Sequence, residues 1–168
     1  ASGLVSDTLA ALAWAKNNPF VDPTHIVFIS SSAGSVGVLK VLTMPEGKDI
    51  CLWFAYMGAP DVIDLIKNGT GNIDFHTYFQ RGQGIGMMAL HGVLMDGDHF
   101  WKDLHESGLG SLDQTRALMA KVGADVVWLR GKHDALVDPR RVEAAMRVPA
   151  KGGREIVDVE GGHLPRTG

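Results

Sequence analysis

Four short strand-like runs, at residues 25–29, 51–57, 125–130 and 155–159, stand apart along the chain, and helix-forming stretches lie between them. In the first three the apolar residues follow one another rather than falling at every second position, which suits buried strands. Strands of that kind joined through helices form a parallel sheet. At 168 residues the chain is therefore expected to be one α/β domain with helices on both faces of that sheet.

The helices between the runs carry their own start and stop signals. A helix over residues 6–16 opens on Ser6 or Asp7 and ends at Asn17-Asn18-Pro19, where proline cannot continue it. A second, over residues 35–42, is closed by Met44-Pro45-Glu46-Gly47. Ser111 and Gln114 form a capping-box pattern that opens a helix to about residue 121. Asp138 followed by Pro139 is an N-cap with proline in the first helical position, and predicts a helix to residue 147. Residues 61–110 lose this regularity and carry loosely spaced large apolar side chains. They are expected to be a cap insertion of short helices, leaving residues 1–60 and 111–168 as the core.

Composition removes several function classes. The formal net charge is −3, without the clustered basic charge of a nucleic-acid binder. With 45% hydrophobic and 21% charged residues the sequence is that of a globular protein. The longest apolar run, Cys51 to Ala59, is well short of the ~18 residues of a membrane span. Cys51 is the one cysteine, so no intramolecular disulfide is expected, and its place in a predicted strand suggests a buried small hydrophobe. No charged-then-apolar leader opens the sequence, and the expected location is cytoplasmic.

In an open parallel sheet, ligands bind beyond the carboxyl ends of the strands. Three of the predicted strand ends carry chemically useful residues: serines after the first, Asp134 after the third, His163 after the fourth. A serine hydroxyl is a weak nucleophile until an imidazole takes its proton, and the imidazole needs a carboxylate to fix its tautomer. A sharp strand–turn–helix corner exposes such a serine, but only if its neighbours are small. Ser30-Ser31-Ser32-Ala33-Gly34-Ser35 is small throughout.

This segment resembles the nucleophile elbow G-x-S-x-G of the α/β-hydrolase fold, with Ser30 in place of the first glycine. The resemblance makes Ser32 the nucleophile, and Ala33 the donor of an oxyanion-hole N–H. Asp134, in Gly131-Lys132-His133-Asp134, resembles the acid loop of that family, and His163, after Gly161-Gly162, its histidine loop. The order serine, aspartate, histidine is also the family's order. The family's sheet has early strands that precede the nucleophile strand, so the resemblance implies that they are missing from this chain. It further implies that a companion N-terminal segment or chain completes the sheet and supplies the second oxyanion donor.

Within the family, Gly97-Asp98-His99-Phe100-Trp101-Lys102-Asp103-Leu104 and Ser111-Leu112-Asp113-Gln114-Thr115 are similar to acyl-transferase and thioesterase types, including polyketide-trimming hydrolases. The implied activity is cleavage of an ester or thioester acyl group, of acyl-carrier or coenzyme A type, through an acyl-enzyme. The alternatives are retro-Claisen cleavage of a polyketide-like chain by the same three residues, and a hydrolase-like protein that binds without turnover. Met87, Met88, Leu94 and Trp101 are candidates for an acyl pocket, or else pack the cap onto the body. The same two-sidedness holds for the site: Ser32 could merely cap a helix, Asp134 a turn, and His163 could be a solvated loop residue. No cofactor is implied, and no metal, since His91, Asp96, Asp98 and His99 match no zinc-ligand spacing. Leu164-Pro165-Arg166-Thr167-Gly168 matches a sortase sorting pattern, but no apolar tail follows it.

Overall fold

The computed structural model describes residues 1–90 and 93–163; His91 and the segment 164–168 lie outside them. The four predicted strands are present as β1 (Val27–Ser31), β2 (Leu52–Tyr56), β5 (Asp125–Gly131) and β6 (Arg154–Val159). They form one parallel sheet in the order β1-β2-β5-β6. Register runs straight across it, pairing Ser30 with Ala55 and Ala55 with Trp128. Four helices of the body, α1 (Ser2–Asn17), α2 (Gly34–Val41), α6 (Leu112–Met119) and α7 (Pro139–Met146), pack side by side in that order.

Side-chain parity decides where the core sits. Trp53, Ala55, Val126 and Trp128 point to one side of the sheet and are completely or almost completely buried. The Trp53 and Trp128 rings meet edge-on, with centroids 5.8 Å apart. Their neighbours on the opposite side are half-buried or exposed, and Ile29 is 76% exposed.

Between β2 and α6 the chain forms α3 (Val62–Gly69), α4 (Phe75–Gln80), a hairpin of β3 (Met87–Leu90) and β4 (Val93–Asp96), and α5 (Gly97–Ser107). Segment 61–110 is thus not purely helical. The hairpin escapes sequence reading because its strands are four residues long and lack a clean two-residue alternation. Aspartate side chains start the helices here as they do in the body. Asp61, Asp74, Asp96 and Asp138 each accept a hydrogen bond from a first-turn N–H, and Ser111 with Gln114 closes a full capping box.

Two local expectations are corrected. Cys51 is exposed, because β2 begins one residue later and Cys51 sits in the connection before it. The first strand runs to Ser31 rather than ending at residue 29, because Ser30 and Ser31 pair with Ala55 and Tyr56. That extension brings the strand to the residue immediately before Ser32.

Candidate active site

Ser32 stands where β1 turns into α2, with φ at +48°. That is the left-handed region, disfavoured for any residue with a Cβ, and the surroundings must hold it there. The Ser32 N–H donates to the Tyr56 carbonyl at 3.1 Å. Its own carbonyl accepts from the Ser35 hydroxyl at 2.6 Å, and the Ser35 oxygen accepts in turn from the Ala59 N–H at 3.0 Å. Ser35 is buried, so this bridge ties the corner to the chain leaving β2. At Gly58, beside it, a Cβ would fall 2.7 Å from the Trp128 ring and 3.2 Å from the Ser35 Cβ, so only glycine lets the two segments approach this closely.

Asp134 follows β5. One carboxylate oxygen, Oδ1, accepts from the Leu136 and Val137 N–H groups at 2.9 and 3.1 Å. The Leu136 carbonyl accepts from the Asn68 side chain of α3 at 3.0 Å, so α3 helps to fix this loop. The other oxygen, Oδ2, faces the Nδ1 of His163 at 2.9 Å. A carboxylate can only accept there, which puts the proton on Nδ1 and leaves Nε2 as an acceptor. His163 comes from the loop after β6, where Gly161 takes φ +130° and its carbonyl accepts from the His133 N–H. The Ser32 hydroxyl donates to His163 Nε2 at 2.7 Å.

Ser32, His163 and Asp134 therefore form one hydrogen-bonded line from hydroxyl through imidazole to carboxylate. The His163 and Asp134 side chains are 8% and 3% exposed. Chemically, such a line lets the imidazole remove the serine proton while the buried carboxylate stabilises the cation that results. Ala33 occupies the N-cap of α2, so its N–H lies at the positive end of that helix.

Beside Ser32 and Ala33 lies a cavity of about 120 Å³. Its wall is apolar: Val36 from α2, Leu65 and Ile66 from α3, Leu90 from the hairpin, and Phe100 and Leu104 from α5. The four residues expected to line a pocket are not part of that wall. Met87 and Leu94 are exposed on the hairpin at 62% and 67%, whereas Met88 and Trp101 are buried in the core. The phase of α5 explains Trp101. Gly97, Trp101 and Leu104 are buried, and Phe100, one turn before Leu104, stands beside it on the cavity wall while Trp101 packs into the core. The signal available in the sequence was the spacing Val62, Leu65, Ile66 after the Asp61 cap, which marks an apolar helix stripe.

Behind the cavity wall, α4 packs on α5 through stacked rings. His105 lies between Phe79 and His76, with centroids 5.0 Å away in each case. Burial pushes the His105 imidazole below its ordinary pKa, and the neighbouring His76 adds to the effect. Among the described residues no group of three or more His, Cys, Asp or Glu side chains could hold a metal ion. No helix among them is long and apolar enough to cross a membrane.

No protein-family model matches the sequence, and no curated protein matches it. Solved structures do. Est1E from Butyrivibrio proteoclasticus superposes with a TM-score of 0.69 at 19% identity, over 95% of this chain and 60% of that one. Acetyl xylan esterase 1 from Thermoanaerobacterium sp. gives 0.60 at 20% identity, over 96% of this chain and 47% of that one. The Pyrococcus furiosus esterase Pf2001 gives 0.59 at 16%, over 95% and 53%. This chain thus spans between about half and three-fifths of the length of the proteins it resembles. Across that span it has the α/β-hydrolase fold, with four parallel strands in its sheet.

Proposed function

We propose that this chain carries the reacting centre of a serine hydrolase that cleaves an ester or thioester by way of an acyl-enzyme. The observation that supports this reading best is the unbroken line from Ser32 Oγ through His163 to Asp134, at 2.7 and 2.9 Å, opening beside an apolar cavity. An incidental serine cap would not need a buried imidazole on its hydroxyl.

The steps follow from the geometry. His163 Nε2 takes the proton as Ser32 Oγ attacks the acyl carbon, and the carbonyl electron pair moves onto its oxygen. The Ala33 N–H meets that oxyanion; one such donor is worth about 3–4 kcal/mol of barrier lowering. His163 then passes the proton to the departing alcohol or thiol as the carbon–heteroatom bond breaks. Water, losing a proton to His163, attacks the acyl-enzyme, and the acid leaves with the proton returned to Ser32. The esterase names of the structural neighbours agree with this chemistry. An acyl group delivered on a carrier protein or on coenzyme A is compatible with the same steps.

A fluorophosphonate probe with peptide mass mapping tests the reading. An adduct on Ser32, abolished in Ser32→Ala and strongly slowed in His163→Ala, is the expected result. A folded protein that takes up no probe and hydrolyses no ester would sink it.

A further inference from the structure

We infer that the cavity beside Ser32 receives the acyl half of the substrate and limits it to an uncharged, apolar group of about six carbon atoms or fewer. This rests on the hydrolase reading above and adds which side of the scissile bond enters, and how large it can be.

The side follows from the proton. The leaving group must take its proton from His163 Nε2, so it has to lie next to that imidazole. Neither His163 nor Asp134 belongs to the cavity wall, which meets the reacting centre only through Ser32 and Ala33. The half that enters the cavity is therefore turned away from the imidazole. That half is the acyl chain, and the alcohol or thiol lies outside, on the histidine side. Ala33 lines the cavity next to Ser32, so an acyl chain pointing inward leaves its carbonyl oxygen on the Ala33 side.

The size follows from the volume. A dry cavity of about 150 Å³ holds one benzene ring, and this cavity measures about 120 Å³. A butanoyl to hexanoyl chain fills it. A decanoyl chain would have to push apart Leu65, Ile66 and Leu104, which are 7%, 2% and 2% exposed and packed in the core. The charge limit follows from the wall: its lining side chains are apolar apart from Ser32, and the Ala1 ammonium at its edge is already held by Asp103, so a carboxylate or ammonium on the acyl group would be buried without a free partner.

The test keeps the leaving group constant and varies the acid. With p-nitrophenyl esters from acetate to dodecanoate, kcat/KM should rise about two- to fourfold per methylene while the chain still finds wall to cover. It should peak between butanoate and hexanoate and fall at least tenfold by decanoate. Two partly exposed wall positions move the peak in opposite directions. Phe100→Ala should shift it by two or more carbons to longer chains, and Leu90→Trp should depress hexanoate much more than acetate. Ser32 labelled by the fluorophosphonate, but with a flat profile or one still rising at dodecanoate, overturns the cavity assignment and leaves the hydrolase reading standing. A short-chain peak that neither variant moves also overturns it, because the limit then lies elsewhere. Absence of both labelling and turnover brings down the two together.

Discussion

The Trp53 indole donates a 2.8 Å hydrogen bond to the hydroxyl of Ser30, joining β2 to the residue two before Ser32. Both partners are buried. Where the nucleophile-elbow pattern has a glycine, this chain has a serine whose oxygen satisfies an indole N–H that has no access to water. Together with Ser35, which bridges Ser32 and Ala59, it fastens the corner to the β2 side at two points, on either side of Ser32.

Breaking the first of these fastenings should be costly in one direction only. Ser30→Ala leaves the Trp53 N–H buried without an acceptor, at about 1–3 kcal/mol. Trp53→Phe in the Ser30→Ala background should recover part of the polar loss. Urea denaturation of the four members of the double-mutant cycle measures the coupling, and strict additivity would show that the bond contributes nothing.

Ser35→Ala removes the bridge beneath the Ser32 carbonyl and orphans the Ala59 N–H. The expected outcome is a fall of about tenfold or more in kcat with KM little changed, because the corner shifts while the cavity wall stays in place. Steady-state kinetics on a hexanoyl ester checks this. A change confined to KM would contradict it.

At Asp134 the two oxygens play different parts, and two substitutions separate them. Asp134→Asn can keep an oxygen toward the Leu136 and Val137 N–H groups but presents an NH₂ to His163, which favours the wrong imidazole tautomer. Turnover should fall by on the order of 10³–10⁴ with thermal stability nearly kept. Asp134→Ala also deprives the loop of its acceptor and should lower Tm as well as turnover. Calorimetry alongside kinetics distinguishes the two effects.

The His76–His105 stack gives stability an acid limb. The folded chain depresses the His105 pKa below its ordinary 6.5, first by burial and second by the nearby His76. A histidine with a depressed folded pKa binds its proton more readily when unfolded. Stability is therefore fully present above the unfolded value and is lost as pH drops below about 6.5 toward the folded one. Tm measured from pH 8 to about pH 5 should decline less steeply in His105→Phe than in the parent. Identical slopes would remove the stack from the account.

Much of this arrangement was legible in the sequence. Small residues between an apolar run and a helical stretch suit a tight strand-to-helix corner, and the strand ends near Asp134 and His163 follow from strand-like runs with clear stops. Segment 61–110 was harder to read. Its β3–β4 hairpin is too short to show alternation, and the rotational phase of α5, which buries Trp101 and turns Phe100 to the cavity, is set by tertiary packing. Met87 and Met88 illustrate the same point: they are adjacent and chemically alike, yet one is 62% exposed and the other 4%. The Trp53–Ser30 bond was invisible because its partners lie on neighbouring strands, and nothing local pairs an indole with a serine.

The +48° φ of Ser32 sets two kinds of selection against each other. A residue with a Cβ held in that region costs about 1–2 kcal/mol relative to a relaxed backbone, a strain that glycine does not feel. Ser32→Gly should therefore melt higher than Ser32→Ala despite being equally inactive. In a library screened only for thermal resistance, position 32 would drift toward glycine. On the proposed hydrolase reading, a lineage kept under demand for turnover must hold the serine and compensate its cost at distant positions, so hardening such a protein without checking its activity would erase the site first.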